Sequence, residues 1–434
     1  MKNCGLQRRN SQNDCYNFKW IKYITLLLTL AGLYYKALKL DSFISFILPL
    51  FMLLITATVC CYQISIHQAD DAFMLTMLKV VSHVHFWHIL AIQIIFLFRI
   101  TPRLKVFFAK YKDFKRNYHC QLRHFQDPNV RHLKKIIICS YFILGIIPLA
   151  VEVYAILDGS LIKLWFGHFF TSENQHAVSV TTFFIILTFA VCRIIYASVL
   201  VFIFIICHAC GNDYMIITKE LNSYLEDDSL THDLEDNETV IQNIRKHFLH
   251  LNNLTTEMDD IAGPLSLTLV IFGVIYLVLH AMACFDYSVY GVSGNSFIIT
   301  ACFSAVTSVV NLAYFMYACV SFNSKATSIK PLLLSANVGN RSQGFFREVT
   351  MLLHKLNQDH IGLTAYGLFD INKSFIVSLF TISVSYAVIL LRFGMMFNEN
   401  KQNNNSNCVN LTFLSADNAT YCPCTTAIPT VLST

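Results

Sequence analysis

Histidine, carboxylate and hydroxyl side chains recur in the outer halves of the predicted membrane helices, where ionisable groups are energetically costly. His85 and His88 lie one helical turn apart, so both can share a face and form hydrogen bonds. Glu152 lies within an apolar run, so it must be protonated, pair with another helix or meet a ligand. Converging polar and aromatic side chains are typical of small-molecule sites. The candidate ligand-binding residues are His85, Trp87, His88, Glu152, Tyr154, Thr181, His280, Thr300 and Ser304.

The same residues allow other interpretations. Histidines on a membrane helix also form hydrogen bonds to neighbouring helices. A haem or metal site would need further paired histidines, and the fifth apolar run offers only His280. Cys207 and Cys210 have the spacing of a metal-binding pair, but no second pair follows nearby. Neither a Ser/His/Asp arrangement nor a phosphate-binding loop indicates an enzyme, so we predict no catalytic residues, no cofactor and no metal.

The chain has the composition of a membrane protein. Of its 434 residues, 55% are hydrophobic and 14% are charged, whereas a soluble domain carries about 25% charged residues. A helix needs about 20 apolar residues to cross the bilayer. Seven runs meet this length, at residues 43–65, 75–98, 134–157, 178–206, 264–286, 296–322 and 374–397. We therefore predict an all-α, polytopic membrane protein with seven transmembrane helices, or spans.

A shorter apolar stretch, from Tyr23 to Tyr35, precedes the first span. Two lysines lie before it and two lie after it. Positive charge at both ends is unfavourable for crossing, because Lys and Arg concentrate on the cytoplasmic side of a membrane. We expect this stretch to lie along the inner interface.

The distribution of Lys and Arg between the loops predicts the orientation. If the N-terminus is cytoplasmic, the inner segments carry 25 of these residues and the outer segments carry two. This asymmetry predicts a cytoplasmic N-terminus and an external C-terminus. A G-protein-coupled-like receptor also has seven spans and stays an alternative. Its orientation is the reverse, however, and the chain has no Asp-Arg-Tyr after span three and no Asn-Pro-x-x-Tyr in span seven.

The C-terminal tail, residues 398–434, agrees with an external location. It contains three cysteines and three acceptor sequons for glycosylation, which suit an oxidising exterior. The predicted glycosylation sites are Asn404, Asn410 and Asn418. Sequons also occur at Asn237, Asn253, Asn340 and Asn372, which this topology places inside.

The predicted inner loops carry two kinds of pattern. Residues 99–135 mix Lys and Arg with aromatic residues, which suits the anionic inner leaflet, although positive-inside sorting also explains the basic residues. Residues 209–262 show helical spacing, with Ile241, Ile244, Phe248 and Leu251 on one face. A similar face in residues 344–368 consists of Phe346, Val349, Leu352, Leu353 and Leu356. We expect cytosolic helical extensions of spans four to seven.

The seventh span has one polar face. At 100° per residue, Ser374, Ser378, Thr381, Ser385 and Arg392 lie within about 40° of one line. The apolar residues Val388 and Ile389 interrupt this face just inside Arg392. A polar stripe closed by an apolar belt is typical of a water-filled path with a dewetting gate. Close packing of helices through Ser and Thr is the alternative interpretation.

The segment from Gly367 to Phe393, GLFDINKSFIVSLFTISVSYAVILLRF, resembles the C-terminal signature of insect gustatory receptors. In that signature a Gly-Leu-Phe and an Asn-Lys/Arg-Ser lead into the last span. The span then ends in Thr-Tyr, five apolar residues and Gln-Phe. Here Ser385 and Tyr386 occupy the Thr-Tyr positions, and Arg392 and Phe393 occupy the Gln-Phe positions.

The resemblance implies a ligand-gated cation channel that a small-molecule tastant opens. It implies a homotetramer, or a heteromer with other gustatory receptor subunits, in the plasma membrane of sensory neurons. The last span of each subunit would line one central pore, and a ligand pocket would open outward among spans two to six. The implied pore and gate residues are Ser378, Thr381, Ser385, Tyr386, Val388, Ile389, Arg392 and Phe393.

Two positions depart from the signature. Ser385 keeps the hydroxyl of the usual Thr, whereas Arg392 replaces a neutral Gln with a cation. Four copies would place a ring of positive charge at the outer mouth, which opposes cation entry. A non-conducting subunit of a heteromeric chemosensory channel is therefore a further alternative.

These features divide the chain into functional segments. Residues 1–42 form a cytoplasmic segment with an interfacial helix, and 43–322 hold spans one to six with the ligand pocket. Residues 323–373 form a cytosolic helical segment for assembly, 374–397 the pore-lining span and 398–434 the extracellular tail. The predicted partners are a small-molecule tastant, like subunits and the lipid bilayer, and no nucleic acid.

Overall fold

Helices account for every regular element in the part of the chain that the structure describes. The computed structural model describes residues 19–34, 73–119, 130–157, 175–226, 234–290, 295–335, 343–358 and 361–389, with scattered positions between 47 and 61 and positions 392 and 396. One isolated antiparallel β-bridge joins Thr364 to Asp370. The predicted all-α fold is confirmed.

The helices are numbered in chain order. They are α1 (Lys19–Leu30), α2 (Phe73–Ile95), α3 (Thr101–His119), α4 (Val130–Tyr141), α5 (Ile147–Leu157), α6 (Gln175–Glu226), α7 (Leu234–Tyr290), α8 (Asn295–Ala326), α9 (Ile329–Ser335), α10 (Gln343–Gln358) and α11 (Lys373–Ile389). A π-helical turn, Phe96–Ile100, joins α2 to α3, and another, Phe142–Ile146, joins α4 to α5.

Among the described residues, five helical stretches are long and apolar enough to cross a membrane, and they overlap predicted spans two to six. They are Val84–Asn117, Leu133–Tyr154, Thr182–Leu225, Thr239–His280 and Cys302–Ser335. Predicted span one has only scattered described positions, all of them helical, and the Thr58 hydroxyl there donates to the Leu54 carbonyl over 2.8 Å. Predicted span seven is described as α11.

The two longest helices extend far beyond a bilayer. Helix α6 has 52 residues and α7 has 57, which correspond to about 78 and 85 Å at 1.5 Å per residue. A hydrocarbon layer of about 30 Å covers less than half of either helix. Both helices therefore continue as long extensions on the side that the topology predicts to be cytosolic, here called the inner end.

A hydrophobic core holds the inner ends together. The predicted apolar face of α7 is buried, because Ile241, Ile244, Phe248 and Leu251 all belong to this core. Helix α10 buries Phe345 with Val349, Leu352 and Leu356. The predicted inclusion of Phe346 was wrong, since its side chain is 54% exposed. Positions 345, 349, 352 and 356 follow the 3–4 spacing of a helix face, which starts one residue earlier than expected.

The basic and aromatic segment after span two is part of this core. The Phe107, Phe108, Tyr111 and Phe114 side chains of α3 are buried, so these rings pack inside the protein, and of the two interpretations only positive-inside sorting of the basic residues is left. Trp20 of α1 packs edge-on against Phe108 and Tyr111 at centroid distances of 6.1 and 5.7 Å. Helix α1 therefore buries one face against the bundle, while Leu26 and Leu30 on its other face are exposed.

Candidate functional site

A histidine cluster joins α2 to α7 and consists of His85, His88, Tyr276 and His280. The His88 ring stacks on Phe272 at a centroid distance of 4.3 Å, and its Nδ1 lies 3.1 Å from the Tyr276 hydroxyl. That hydroxyl donates its single proton to the Val84 carbonyl over 3.2 Å. His88 Nδ1 must then be the donor to Tyr276, which leaves Nε2 as an acceptor.

The acceptor nitrogen of His88 lies in a buried position. His88 is fully buried, and its Nε2 has no hydrogen-bond partner among the described residues. The Nε2 of His85 is in the same condition. A buried polar atom without a partner costs about 1–3 kcal/mol. A ligand or a water molecule that forms hydrogen bonds to these nitrogens would recover that free energy.

Aromatic rings and His280 pack around the other residues of the cluster. The His85 ring is nearly parallel to Phe189 at 6.5 Å, and Tyr196 meets the His88 ring edge-on at 5.5 Å. His280 Nδ1 donates to the Tyr276 carbonyl over 2.8 Å. Helices α2, α6 and α7 thus surround a set of flat rings with few polar atoms, which is the usual composition of a small-molecule site.

Glu152 forms an ion pair with Arg193 of α6. The Arg193 Nε donates to both carboxylate oxygens over 3.0 Å, and its terminal amino group Nη2 contacts Oε1. Glu152 is buried. Of the three fates expected for this carboxylate, the structure therefore gives pairing with another helix. Arg193 also lies within electrostatic reach of His85 and Tyr276, which places the pair beside the histidine cluster.

The remaining predicted ligand residues occupy different environments. Ser304 adjoins the cluster through Ser308, whose hydroxyl donates to the Ser304 carbonyl and lies 3.4 Å from His280 Nδ1. Trp87 and Tyr154 are 47% and 56% exposed, so they lie outside the buried cluster. Thr181 of α6 and Thr300 of α8 are helical, and their side chains lie outside the described part.

Sequence reasoning missed several residues of this site. Arg193 carried a visible signal, because an ionisable residue inside a predicted span is the natural partner for a carboxylate in another span. Phe189, Tyr196, Phe272 and Tyr276 carried none, since aromatic residues are common in every span of this chain. Only the packing of the helices singles them out.

Helix α11 contacts the rest of the chain along a narrow strip. Ser383 and Ala387 are buried, and Phe375, Ile376 and Leu379 pack against the core while remaining partly exposed. At 100° per residue, the centre of this strip lies about 160° from the centre of the polar stripe. The polar stripe therefore points away from the helices of its own chain.

The described residues of the predicted pore face agree with this direction. Ser378, Thr381, Ser385, Tyr386, Val388, Ile389 and Arg392 are all exposed, and Phe393 lies outside the described residues. The Thr381 hydroxyl donates to the Val377 carbonyl over 2.9 Å, and the Ser385 hydroxyl donates to the Thr381 carbonyl over 2.8 Å. Each of these hydroxyls can also accept a hydrogen bond from outside the helix.

The segment before α11, residues 361–372, folds into a compact turn that we call the signature hairpin. Asn323 of α8 donates to the Ile371 carbonyl over 2.9 Å and accepts from the Leu363 amide over 2.7 Å. Asp259 of α7 accepts from the amide and the hydroxyl of Thr364, both over 2.7 Å. Side chains of two long helices thus fix the backbone of the hairpin.

The signature residues have identifiable roles in this hairpin. Gly367 has φ +73°, a conformation that favours glycine. Asn372 accepts from the Phe375 amide over 2.9 Å and caps the N-terminus of α11. The Phe369 and Phe375 rings stack at 4.5 Å. The signature therefore encodes the turn that starts the last helix.

We expect Gly362→Ala to destabilise the protein. Gly362 has φ +153°, and an added Cβ would lie 2.8 Å from Asn323 Oδ1, the atom that anchors the hairpin. Strain of this kind costs about 1–3 kcal/mol. The thermal midpoint of the purified Gly362→Ala protein in detergent should fall below that of the wild type. The control is Gly145→Ala, whose Cβ would meet Ala197 at 3.5 Å, and its midpoint should stay within about 2 °C of the wild type. Equal midpoints for the two variants would contradict this assignment.

The long apolar helices and the inner bundle define a multi-pass helical membrane protein. The family described as 7tm chemosensory receptor matches residues 41–397. Because this match covers most of the chain, the protein belongs to the chemosensory receptor family. It is therefore a receptor and not an enzyme.

Two solved structures have a similar fold. The structure of the insect olfactory receptor OR5 from Machilis hrabei in complex with eugenol has a TM-score of 0.64 and 11% identity, and the match covers 86% of this chain and 98% of that one. A second structure of the same receptor gives a TM-score of 0.59 at the same identity and coverage. No curated protein matches the chain.

Proposed function

We propose that this protein is a gustatory receptor subunit of a ligand-gated cation channel that a small-molecule tastant opens. The observation that carries the proposal is the direction of the polar stripe on α11. A stripe of hydroxyls that turns away from its own chain is suited to face a water-filled axis between several copies. Resemblance of residues 367–393 to the gustatory receptor signature favours a taste receptor over an olfactory one.

The pore in this proposal is lined by the last helices of four like subunits, or of this chain and other gustatory receptor subunits. Ser378, Thr381 and Ser385 offer hydroxyl oxygens to hydrated cations. The exposed Val388 and Ile389 form the apolar gate next to Tyr386. Arg392 and Phe393 lie at the outer mouth, in the plasma membrane of a sensory neuron.

The ligand site in this proposal is the histidine cluster together with the Glu152–Arg193 pair. The ion pair is internally neutralised, so the walls favour a neutral ligand with a flat or apolar body and a hydrogen-bond donor for His88 Nε2. The structure of a protein with a similar fold in complex with eugenol supports a small organic ligand about the size of eugenol. Spans one to six would carry this pocket, and residues 323–373 would hold the subunits together.

Arg392 favours one alternative, a non-conducting subunit of a heteromeric channel. A ring of four guanidinium groups opposes cation entry, and partner subunits with a neutral residue would dilute it. A G-protein-coupled-like receptor is the other alternative, and it predicts currents that depend on intracellular GTP.

Recording from cells that express this chain alone, during application of sucrose, fructose, caffeine, quinine and eugenol, separates the proposed channel from these two alternatives. Our proposal predicts a cation current that persists with GDPβS in the pipette, and a current abolished by GDPβS would contradict it.

We expect His88→Asn to weaken activation by the compound that opens the channel. The Asn amide can still donate to Tyr276 in place of Nδ1, but it removes the acceptor at Nε2. Loss of one hydrogen bond should raise the half-activating concentration about three- to tenfold. His88→Gln, which keeps a polar group near the Nε2 position, should shift it less, and Trp87→Phe at the exposed neighbouring position should not shift it. An equal effect of all three variants would exclude a specific role for Nε2.

A further inference from the structure

The signature hairpin contacts three helices that also carry the candidate ligand site. Arg99, in the π-helical turn below α2, bonds the hairpin at Tyr366, and Asp259 of α7 and Asn323 of α8 bond it at other points. Higher on the same helices lie His88, Tyr276 and Ser308 of the candidate site. The lower end of each of these helices therefore meets the short segment that starts α11.

The contact between Arg99 and Tyr366 has two components. An Arg99 terminal nitrogen donates to the Tyr366 hydroxyl over 3.0 Å, and the guanidinium carbon lies 4.8 Å from the centroid of the tyrosine ring. A guanidinium above an aromatic face contributes a cation–π attraction in addition to the hydrogen bond. Arg99 lies 267 positions before Tyr366 in the chain, so their contact is a tertiary contact and not a local one.

The backbone of Tyr366 is held in an unusual conformation. Among the described residues, Tyr366 is the one non-glycine with positive φ, at +58°. Such a residue keeps this conformation only when its surroundings impose it. Gly263 of α7 allows the close approach, because a Cβ there would lie 3.2 Å from the Tyr366 Cα and amide nitrogen. Loss of the Arg99 contact would therefore release a segment that tends to relax.

The helices that join the two regions are continuous. His88 and Arg99 are eleven residues apart, or about 17 Å, with helical backbone between them that includes the π turn. Tyr276 and Asp259 lie about 26 Å apart on α7, and Ser308 and Asn323 about 23 Å apart on α8. A π turn holds one more residue than an α turn, and such turns are frequent at functional sites. The orientation of Arg99 relative to His88 depends on this turn.

We propose that Arg99 and Tyr366 are positioning residues that couple the histidine cluster to α11, by holding the signature hairpin in the conformation that sets the inner end of that helix. The ligand dependence of this coupling rests on the proposed function. The contact between Arg99 and Tyr366, and its effect on the conformation of the hairpin, are independent of the proposed function. Two measurements therefore test the coupling.

The first measurement is hydrogen exchange of the purified full chain in lipid nanodiscs. Arg99→Gln should accelerate exchange about tenfold at the hairpin amides of Leu363, Ala365, Gly367 and Ile371 and in the first turn of α11. The matched control is Arg103→Gln, at an exposed position on the following helix. Exchange in α10 should be unchanged in both variants. Identical hairpin exchange in Arg99→Gln and Arg103→Gln would overturn the proposal.

The second measurement is the current evoked by the compound of the tastant panel that opens the wild-type chain. Tyr366→Phe keeps the ring and removes the hydroxyl, so it should shift the half-activating concentration about three- to tenfold. Arg99→Lys keeps the cation and should restore part of the response that Arg99→Gln loses. The unitary conductance should not change, because neither residue belongs to the polar stripe. A change in conductance without a shift in concentration would count against coupling.

The exchange measurement and the current measurement together distinguish failure of the channel proposal from failure of the coupling proposal. If the wild-type chain passes no current with any compound, the homomeric form of the channel proposal fails, and the exchange experiment still decides whether Arg99 holds the hairpin. If the wild-type chain conducts and Arg99→Gln behaves like Arg103→Gln in both arms, the coupling fails by itself.

Discussion

Glu152→Ala should sharply lower the amount of folded receptor, because it leaves the buried Arg193 guanidinium without its carboxylate. Removal of one partner of a buried ion pair costs about 3–5 kcal/mol. Both Glu152 and Arg193 are about nine-tenths buried as side chains, so water cannot replace the lost partner. We expect a loss of most of the monodisperse peak in fluorescence-detected size exclusion, together with a lower thermal midpoint.

Two controls separate the charge imbalance from the loss of a side chain. Glu152→Gln combined with Arg193→Gln removes both charges and should recover much of the folded fraction. Arg116→Gln breaks an exposed pair with Asp113, whose side chains are 66% and 68% exposed, and should change the midpoint little. A double variant as unstable as Glu152→Ala would show that the stability does not depend on charge pairing.

Arg392→Gln should increase the cation current of a channel built from this chain. Each guanidinium at roughly 10 Å from the axis contributes about 0.4 kcal/mol of repulsion in water, so four contribute about 1.6 kcal/mol. Removal of that barrier would raise the inward current up to about tenfold at low ionic strength and less in physiological salt.

Charge-preserving and remote variants make this prediction specific. Arg392→Lys keeps the charge and should resemble the wild type, and Lys373→Gln at the opposite end of α11 should leave the outer barrier unchanged. The ratio of Arg392→Gln current to wild-type current should shrink as salt increases. Equal currents from the Gln, Lys and wild-type proteins at matched surface expression would remove Arg392 from the pore mouth.

The membrane helices could be predicted from the sequence because a bilayer imposes a simple rule. A segment of about 20 apolar residues must cross as a helix, and five such segments appear as long helices in the structure. The buried face of α7 followed from the spacing of Ile241 to Leu251 for a similarly local reason. The signature segment predicted where the last span begins, but neither the turn that caps α11 nor the side chains that anchor that turn.

The features that could not be predicted depend on which helices meet. The basic residues of α3 suggested a lipid surface, yet the aromatic residues between them pack on Trp20, and spacing alone does not identify a partner. Phe345 and Phe346 are adjacent, so the apolar face of α10 could include either residue. Only the packing of a neighbouring helix determines which of the two is buried. The hydrogen bonds from Arg99, Asp259 and Asn323 to the hairpin join residues that are 267, 105 and 40 positions apart in the chain. No sequence pattern predicts these pairs.

In its homomeric form, the proposal makes the central claim that this chain by itself forms a ligand-gated cation channel, and reconstitution tests that claim most directly. The purified protein would be placed in planar lipid bilayers without any other protein, and the compound that activates cells would be added. We predict unitary, cation-selective openings whose frequency rises with concentration and whose conductance increases in Arg392→Gln. A purified chain that binds the compound, as a raised thermal midpoint would report, but shows no unitary openings in either form would contradict the claim.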